Sequence, residues 1–308
     1  MDAKAMAVDP AAVGAIVIGR NEGERLDVCL RSVKEEIDRV VYVDSGSSDG
    51  SVALAKERGA EVVELFADRP FTAARARNAG AAKLLEDHEV DFIQFIDGDC
   101  ELQPGWVEQA TSFLACNPEV AIACGRRRER FPDRTRYNQL CDMEWDTPVG
   151  EAAACGGDSL MRTKAFKAVE GFTETLIAGE EPDLCFRLRQ AGWKIWRLDD
   201  EMTLHDAAMS RVGQWWQRSV RSGYATAEAH QRRGDTERHL KRQVVSNLVW
   251  GLPIAWPLWP ILWLRIQRRK GALYASHIVL GKVPHLIGQI RFWWQRMRGE
   301  AGTLIEYK

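Results

Sequence analysis

Four short apolar runs rich in β-branched residues, each followed by a stretch of helical character, constrain this chain more than any other feature. They are VGAIVI (13–18), RVVYVDS (39–45), AEVVELF (60–66) and DFIQFID (91–97). Continuous runs of this length bounded by Gly, Asn or Asp suit strands buried on both faces. Helices are expected at 24–36, from a cap at Asp49 to Arg58, at 72–86, and again from near Pro104. A fifth strand is expected at EVAIACG (119–125). Strands alternating with helices in this way predict a right-handed, mostly parallel α/β sheet flanked by helices. The segment 126–160 reads as irregular, with GGDSLMR (156–162) returning to the sheet. A helix at 180–191 should then precede two short strands, WKIWRL (193–198) and MTLH (202–205).

Ligands in such sheets bind at the carboxyl ends of the strands, where this sequence gathers its polar residues. Arg20 and Asn21 follow the first strand, Asp44 ends the second, and Asp97 and Asp99 end the fourth. FIDGDC delivers two carboxylates on one side of a turn, with Gly98 between them. That spacing suits a hard divalent cation that also takes phosphate oxygens, although an isolated DxD is as often a solvated turn.

Five segments in fixed order make that reading specific. GRNEGERLDVCLRS, VDSGSSDGS, FTAARARNAG, FIDGDCELQPGW and GEEPDLCFRLRQAGW resemble the motifs of family 2 glycosyltransferases of the GT-A fold, over about residues 13–206. The resemblance implies that Arg20, Asn21, Glu22 and Asp44 hold the nucleoside of a nucleotide-sugar donor. Arg77 and Asn78 match an element beside the diphosphate, where a cation offsets phosphate charge. Asp97, Gly98 and Asp99 match the motif that binds Mn²⁺ or Mg²⁺ and the diphosphate. Glu181 matches the general base that deprotonates an acceptor hydroxyl, with Asp183 the other candidate carboxylate. Either Glu180 or Asp183 could instead serve only to cap its helix, and Arg187 should pair with an acid on its own helix face. His205, after the last strand, is either a third metal ligand or a structural histidine; a neutral imidazole suits Mn²⁺ better than Mg²⁺. Two positions depart from the pattern: Ser45 stands where many relatives carry a second Asp, and Glu181 where many carry Asp.

Beyond about residue 210 the character changes. Residues 1–210 hold 25 Lys/Arg against 39 Asp/Glu, whereas residues 211–308 hold 17 against 5, and eight of the 12 Trp follow position 214. The expected organisation is a tail at 1–12, a catalytic domain at 13–210, and a basic, Trp-rich, helical membrane-associating region at 211–308. Within the latter, 244–264 is a run of 21 uncharged residues, about 31 Å if fully helical. Pro253, Pro257, Pro260 and Gly251 break that helix, and basic residues on both sides disfavour carrying either flank across a bilayer. A re-entrant or interfacial element on anionic lipid satisfies both facts; the alternative is a buried helical hairpin. The stretch 272–290, interrupted by His277, Lys282, Pro284 and His285, is a poor span. The segment QWWQRSVRSGY (214–224) lacks the QxxRW of processive synthases, which disfavours polymer export through a channel.

Seven cysteines at irregular spacing, with no CxxC, signal neither a zinc knuckle nor a disulfide framework and fit reduced thiols filling a core. The N-terminal MDAKAMAVDPAA is too weakly apolar for a signal peptide, so the expected location is the cytoplasmic face of the inner membrane. The resemblance implies metal-assisted, inverting transfer of a sugar from a UDP- or GDP-sugar to a hydroxyl, with a lipid-linked saccharide as the natural acceptor and no nucleic-acid partner. Two rivals are a nucleotidyltransferase and a catalytically dead membrane scaffold. The first normally shows a Gly-rich phosphate loop, which GAIVIGRNEGE lacks; the intact Asp97, Asp99 and Glu181 argue against the second.

Overall fold

The computed structural model describes residues 12–300, and the expected tail at 1–12 lies almost wholly outside them. The described residues form two compact units. One comprises the chain up to Arg130 with Glu144–Thr175 and Glu180–Ala207; the other comprises Phe131–Met143, Leu176–Gly179 and the chain from Ala208 onward. The second unit thus takes in two short stretches that precede the expected boundary at 210.

The first unit opens as the alternation predicts: β1 (Val13–Gly19), α1 (Glu24–Glu36), β2 (Arg39–Asp44), α2 (Ser51–Glu57), β3 (Glu61–Glu64), α3 (Ala73–Asp87) and β4 (Phe92–Asp97). It continues through β5 (Cys100–Leu102), α4 (Trp106–Cys116), β6 (Val120–Glu129), α5 (Arg136–Trp145, largely in the second unit), β7 (Gly150–Glu151), β8 (Ser159–Arg162), α6 (Thr163–Ala168), α7 (Glu180–Gln190) and β9 (Lys194–His205). The strands order as β3-β2-β1-β4-β8-β6-β9-β5, with β7 against β9. β1 to β4 run parallel, while β8 inserts antiparallel between β4 and β6.

Side chains along β1 alternate between two cores. Ala15 and Val17 pack with Leu26, Cys29, Leu30 and Val33 of α1, whereas Ile16 packs with Ala74, Ala76, Ala81 and Leu84 of α3. The α1 set recurs at three- and four-residue spacing, so one helix face is buried. α3 starts at Thr72, whose hydroxyl accepts from the Arg75 N–H at 3.1 Å. Gly80 lets α3 lie close on the sheet: a Cβ there would sit 2.5 Å from Ile16 Cγ2 and 2.9 Å from Val43 Cγ2. Both neighbours are stiff β-branched side chains. Gly80→Val is therefore expected to cost about 1–3 kcal/mol by overpacking, read as a lower urea midpoint. An unchanged midpoint would show that α3 lifts off the sheet without penalty.

Three local expectations need correction. Asp49 does not occupy the N-cap; Gly50 does, and the Asp49 carboxylate accepts from the Ser51 N–H at 2.9 Å. The segment 126–160 is not irregular: β6 runs on through Arg126–Glu129, and α5 and β7 follow. The charged RRRE sequence hides this strand, whose pairing partner is Glu201–His205 of β9. For the same reason 193–198 and 202–205 are one strand. β9 pairs with β6 along its length, and register shifts near Gly125–Arg127 absorb the mismatch.

In the second unit, α8 (Val212–Arg233), α9 (Arg238–Gly251), a 3₁₀ segment (Pro253–Leu258), α10 (Trp259–Lys270) and α11 (Ala272–Met297) follow one another. α8 and α11 meet backbone to backbone, since a Cβ on Gly223 would lie 2.1 Å from the His285 carbonyl oxygen and one on Gly288 2.0 Å from that of Val220. Tyr224 and Phe292 pack edge to face at 5.3 Å, and the Trp215 indole donates to His277 Nδ1 at 2.8 Å. The run 244–264 is not one helix. Chain direction turns by 90° between Arg238–Gly251 and Pro253–Lys270, and no single described helix is long and apolar enough to cross a membrane. The bend falls where Gly251 and Pro253 interrupt helical hydrogen bonding. Around it Leu248, Val249, Leu252, Trp256, Leu258 and Ile261 are exposed, and Ile254 is 86% exposed.

Candidate active site

The ends of β1, β2 and β4 come together because Gly19 pairs with Asp44 and Ile18 with Asp97. Asp44 is buried, and its carboxylate accepts from the Tyr42 hydroxyl (2.9 Å), the Gly46 and Ser47 N–H groups (3.0 and 2.7 Å) and the Ser47 hydroxyl (2.5 Å). It shapes the loop after β2. Asn21, at φ 56°, ties the preceding loop to it: its N–H donates to Ser47 Oγ at 2.9 Å and its Oδ1 accepts from the Ser48 N–H at 2.8 Å. Arg20 lies 5.7 Å over the Phe71 ring, and Glu22 pairs with Arg25 at 2.7 Å.

The DGD turn is fastened to β1, with the Gly98 N–H donating to the Ile18 carbonyl at 2.8 Å. A Cβ on Gly98 would come within 3.1 Å of that same oxygen, so the turn approaches β1 as closely as glycine allows. Asp97 accepts from Arg77 Nη2 at 2.8 Å, and Arg77 Nη1 donates to Glu180 at 2.8 Å. Burial opposes the charge of Arg77, but Asp97 and Glu180 outweigh it and raise its pKa. Asp99 is buried, with its Oδ2 3.0 Å from His205 Nε2. His205 stacks on Trp145 at 4.6 Å. Burial, then the Arg127 cation, pushes its pKa down to about 4 against the opposing pull of Asp158, Asp97 and Glu129. Its imidazole is therefore neutral at neutral pH, the form that binds metals.

Two residues central to this arrangement carry no sequence signal of their own. Asp158 is fully buried. Its carboxylate accepts from the Asp97 N–H (3.0 Å) and the Thr203 hydroxyl (2.8 Å), and it pairs with Arg127 Nη2 at 2.8 Å. Arg127 reaches toward Asp97 as well, at 3.9 Å, and lies 5.6 Å over Trp145. Gly157 leaves room for this network: a Cβ there would lie 2.9 Å from Asp97 Oδ2 and 3.0 Å from Arg127 Nη2. The triplet GGD could have flagged the site, had its glycines been taken as a close approach to charged side chains.

Two expected site residues face elsewhere. Asn78 is spent on the loop after α6: its Oδ1 accepts from the Phe172 N–H at 2.9 Å and its Nδ2 donates to the Phe172 carbonyl at 2.8 Å. Asp183 is buried, and its Oδ2 accepts from the Thr173 hydroxyl at 2.8 Å and from Arg187 Nε at 3.0 Å. The same Arg187 donates to the Val169 and Gly171 carbonyls. Asp183 thus anchors the loop leading into α7. Glu181 accepts from the Cys155 N–H at 2.5 Å and the Cys185 thiol at 3.0 Å.

Asp99 and His205 offer donors that fit a divalent cation, while the Asp97 carboxylate faces Arg77 and Arg127. The 3.0 Å between Asp99 Oδ2 and His205 Nε2 is the spacing of adjacent ligands each about 2.1 Å from one octahedral ion. Buried His205 Nδ1 has no hydrogen-bond partner among the described residues. Cys100 lies in the same cluster, its thiol 3.8 Å from Asp99 Oδ1.

The glycosyl transferase family 2 model matches residues 15–169, which contain Asp44, Arg77, Asp97, Asp99 and Asp158. The chain belongs to glycosyltransferase family 2. It is accordingly a glycosyltransferase, which sets aside the nucleotidyltransferase and scaffold readings. Glu181 and His205 lie beyond the matched segment.

Among similar proteins, this family 2 chain is 26% identical over 250 residues to the succinoglycan biosynthesis protein ExoA of Rhizobium meliloti (strain 1021), covering 76% of this chain and 72% of that one. It is 28% identical over 240 residues to the pre-mycofactocin glycosyltransferase of Mycobacterium tuberculosis (strain ATCC 25618 / H37Rv), spanning 72% of this chain and 47% of that protein. The mannosyltransferase PcManGT from Pyrobaculum calidifontis, solved with GDP-Man and Mn²⁺, superposes with a TM-score of 0.66 at 15% identity, over 94% of this chain and 90% of that one. Glucosyl-3-phosphoglycerate synthase from M. tuberculosis, in complex with phosphoglyceric acid, follows at 0.50 and 17%, over 72% and 79%. At these identities the structures speak for the fold, the sheet-and-helix arrangement of GT-A enzymes.

Proposed function

We propose that this family 2 enzyme transfers a sugar, with inversion, from a UDP- or GDP-sugar to a hydroxyl of a lipid-linked saccharide, assisted by Mn²⁺ or Mg²⁺. The pairing of Asp99 with a neutral His205, next to Asp97 in the DGD turn at the carboxyl edge of the sheet, carries the proposal. Arg77 and Arg127 add positive charge beside Asp97 for a diphosphate. Solved relatives of this fold hold GDP-Man with Mn²⁺, or UDP with Mg²⁺, which supports the donor class and the ion. Relatives named for succinoglycan biosynthesis and for O-antigen chain rhamnosyl transfer support an acceptor in surface-polysaccharide assembly.

A divalent cation bound by Asp97, Asp99 and His205 would neutralise the departing diphosphate. Asn21 and Asp44 hold the two loops against which a nucleoside can rest. Glu181 takes the acceptor proton as the hydroxyl oxygen attacks the anomeric carbon, on the face opposite the breaking bond to phosphate. Asp158 and Arg127 keep Asp97 and its backbone in place.

Glu181→Gln is expected to leave donor affinity near that of the parent and to lower kcat roughly 10²-fold or more. Steady-state kinetics with a nucleotide-sugar panel, together with donor titration calorimetry, measure both. If Glu181→Gln turns over normally while Glu180→Gln is dead, the base is Glu180.

The proposed site of action is the cytoplasmic face of the inner membrane, with the bend at 251–253 seated at the interface. The exposed Ile254, Trp256, Leu258 and Ile261 support it, as do Arg238, Lys241 and Arg242, which line an open surface groove with Val245, Val249 and Trp250. Apolar burial outweighs screened surface charge. The full chain should therefore float with anionic vesicles in high salt and leave them in detergent. Complete release by salt alone would remove the interfacial reading.

A further inference from the structure

Cys155, which no motif marks, converges with Glu181 and Cys185 of α7. Cys155 precedes the glycine pair beside Asp97, and Glu181 and Cys185 lie one turn apart on α7. The two thiol sulfurs are 3.6 Å apart, and Cys185 Sγ is 3.0 Å from Glu181 Oε1. One donor atom from each of the three residues lies within 4.8 Å of the others, and Cys185 is buried.

We propose that these three side chains form a second metal site, for a thiophilic divalent cation such as Zn²⁺, whose occupation takes Glu181 out of proton transfer. The spacing of the sulfurs supports a shared ion. Two thiolates each about 2.3 Å from one tetrahedral ion stand about 3.8 Å apart, close to the 3.6 Å observed. Two thiolates and a carboxylate make a softer set than the Asp97, Asp99 and His205 donors, so the two sites select different ions. On binding, each thiol loses its proton to solvent, and three anionic ligands then surround the dication. The Glu181 carboxylate becomes a ligand and no longer accepts a proton from an acceptor hydroxyl. Because the Cys155 N–H donates to Glu181 and the Asp97 N–H donates to Asp158, the same ion also braces the 155–158 loop beside the catalytic carboxylates. Three protein ligands leave one tetrahedral position open, the arrangement of an exchangeable site. The inhibitory consequence rests on Glu181 as the base; binding itself does not.

Cd²⁺, whose bond to thiolate absorbs in the ultraviolet, tests binding without reference to activity. The full chain carrying Asp99→Asn, which disables the other cluster, should bind one equivalent of Cd²⁺ with that absorbance. Adding Cys155→Ser, at the half-buried loop position, should abolish the absorbance. No absorbance with Asp99→Asn alone, or full absorbance after adding Cys155→Ser, overturns the site. In the parent enzyme with saturating Mn²⁺, Zn²⁺ at micromolar concentration should lower transfer at least tenfold, while Cys155→Ser resists it. Cd²⁺ binding as described with transfer undiminished by Zn²⁺ would leave the site standing and refute its action through Glu181.

Discussion

Asp99→Asn is expected to abolish transfer and metal-dependent donor binding while the fold survives. Asp99 is buried with its carboxylate against His205 Nε2 at 3.0 Å, and Asn keeps the shape while removing the charge. The charge stabilisation supplied by a catalytic metal is worth several kcal/mol; at about 1.4 kcal/mol per factor of ten this is roughly a 10³-fold loss. The neighbouring substitution is less clean, because Asp97 also neutralises buried Arg77 at 2.8 Å. Changing Asp97 would disturb fold and chemistry together. Kinetics at limiting Mn²⁺, donor calorimetry with and without the ion, and a thermal melt give the three readings. Full activity of Asp99→Asn with metal limiting would remove the metal assignment.

The largest stability effect is expected at Asp158. Asp158→Ala strips acceptors from the Asp97 N–H and the Thr203 hydroxyl and leaves Arg127 without its 2.8 Å partner. Breaking a buried pair from one side costs about 3–5 kcal/mol, because the remaining charge is desolvated and uncompensated. Replacing both partners by apolar groups of similar volume avoids that penalty. Asp158→Leu with Arg127→Met should therefore recover much of the stability lost in the single variant. It should not recover activity, since Asp97 loses the acceptor for its backbone N–H and one of the two cations beside it, keeping only Arg77. Chemical denaturation of the parent, the single and the double variant decides the matter. A single variant within about 1 kcal/mol of the parent, inside the range of ordinary surface changes, would show that the network is not a stabilising one.

Position in the chain and role in the fold part company at several residues. FIDGDC is legible because an apolar strand and a two-carboxylate turn are adjacent in sequence, and the strand end is where α/β sheets bind ligands. Asn78 and Asp183 sit within equally recognisable motifs, yet both side chains turn to the loop at 169–174. For Asn78 the direction is set by Phe172, which arrives 94 residues later in the chain. The Arg187 pairing with Asp183 could be anticipated because both lie on one helix face four residues apart.

The sequence by itself determined the α/β class, the first four strands and their helices, the carboxylates at the strand ends and the family. Each of these rests on local periodicity or on motifs a few residues long, and such signals survive without knowledge of what packs where. The tertiary structure alone decided that β8 runs antiparallel between β4 and β6, that 193–205 is one strand, and that Asp158, Arg127 and Thr203 lock together behind Asp97. It also brought Cys155 to Glu181 and Cys185. These are pairings between segments dozens of residues apart, set by sheet register and by the need to neutralise buried charge, and neither leaves a periodic trace in the chain.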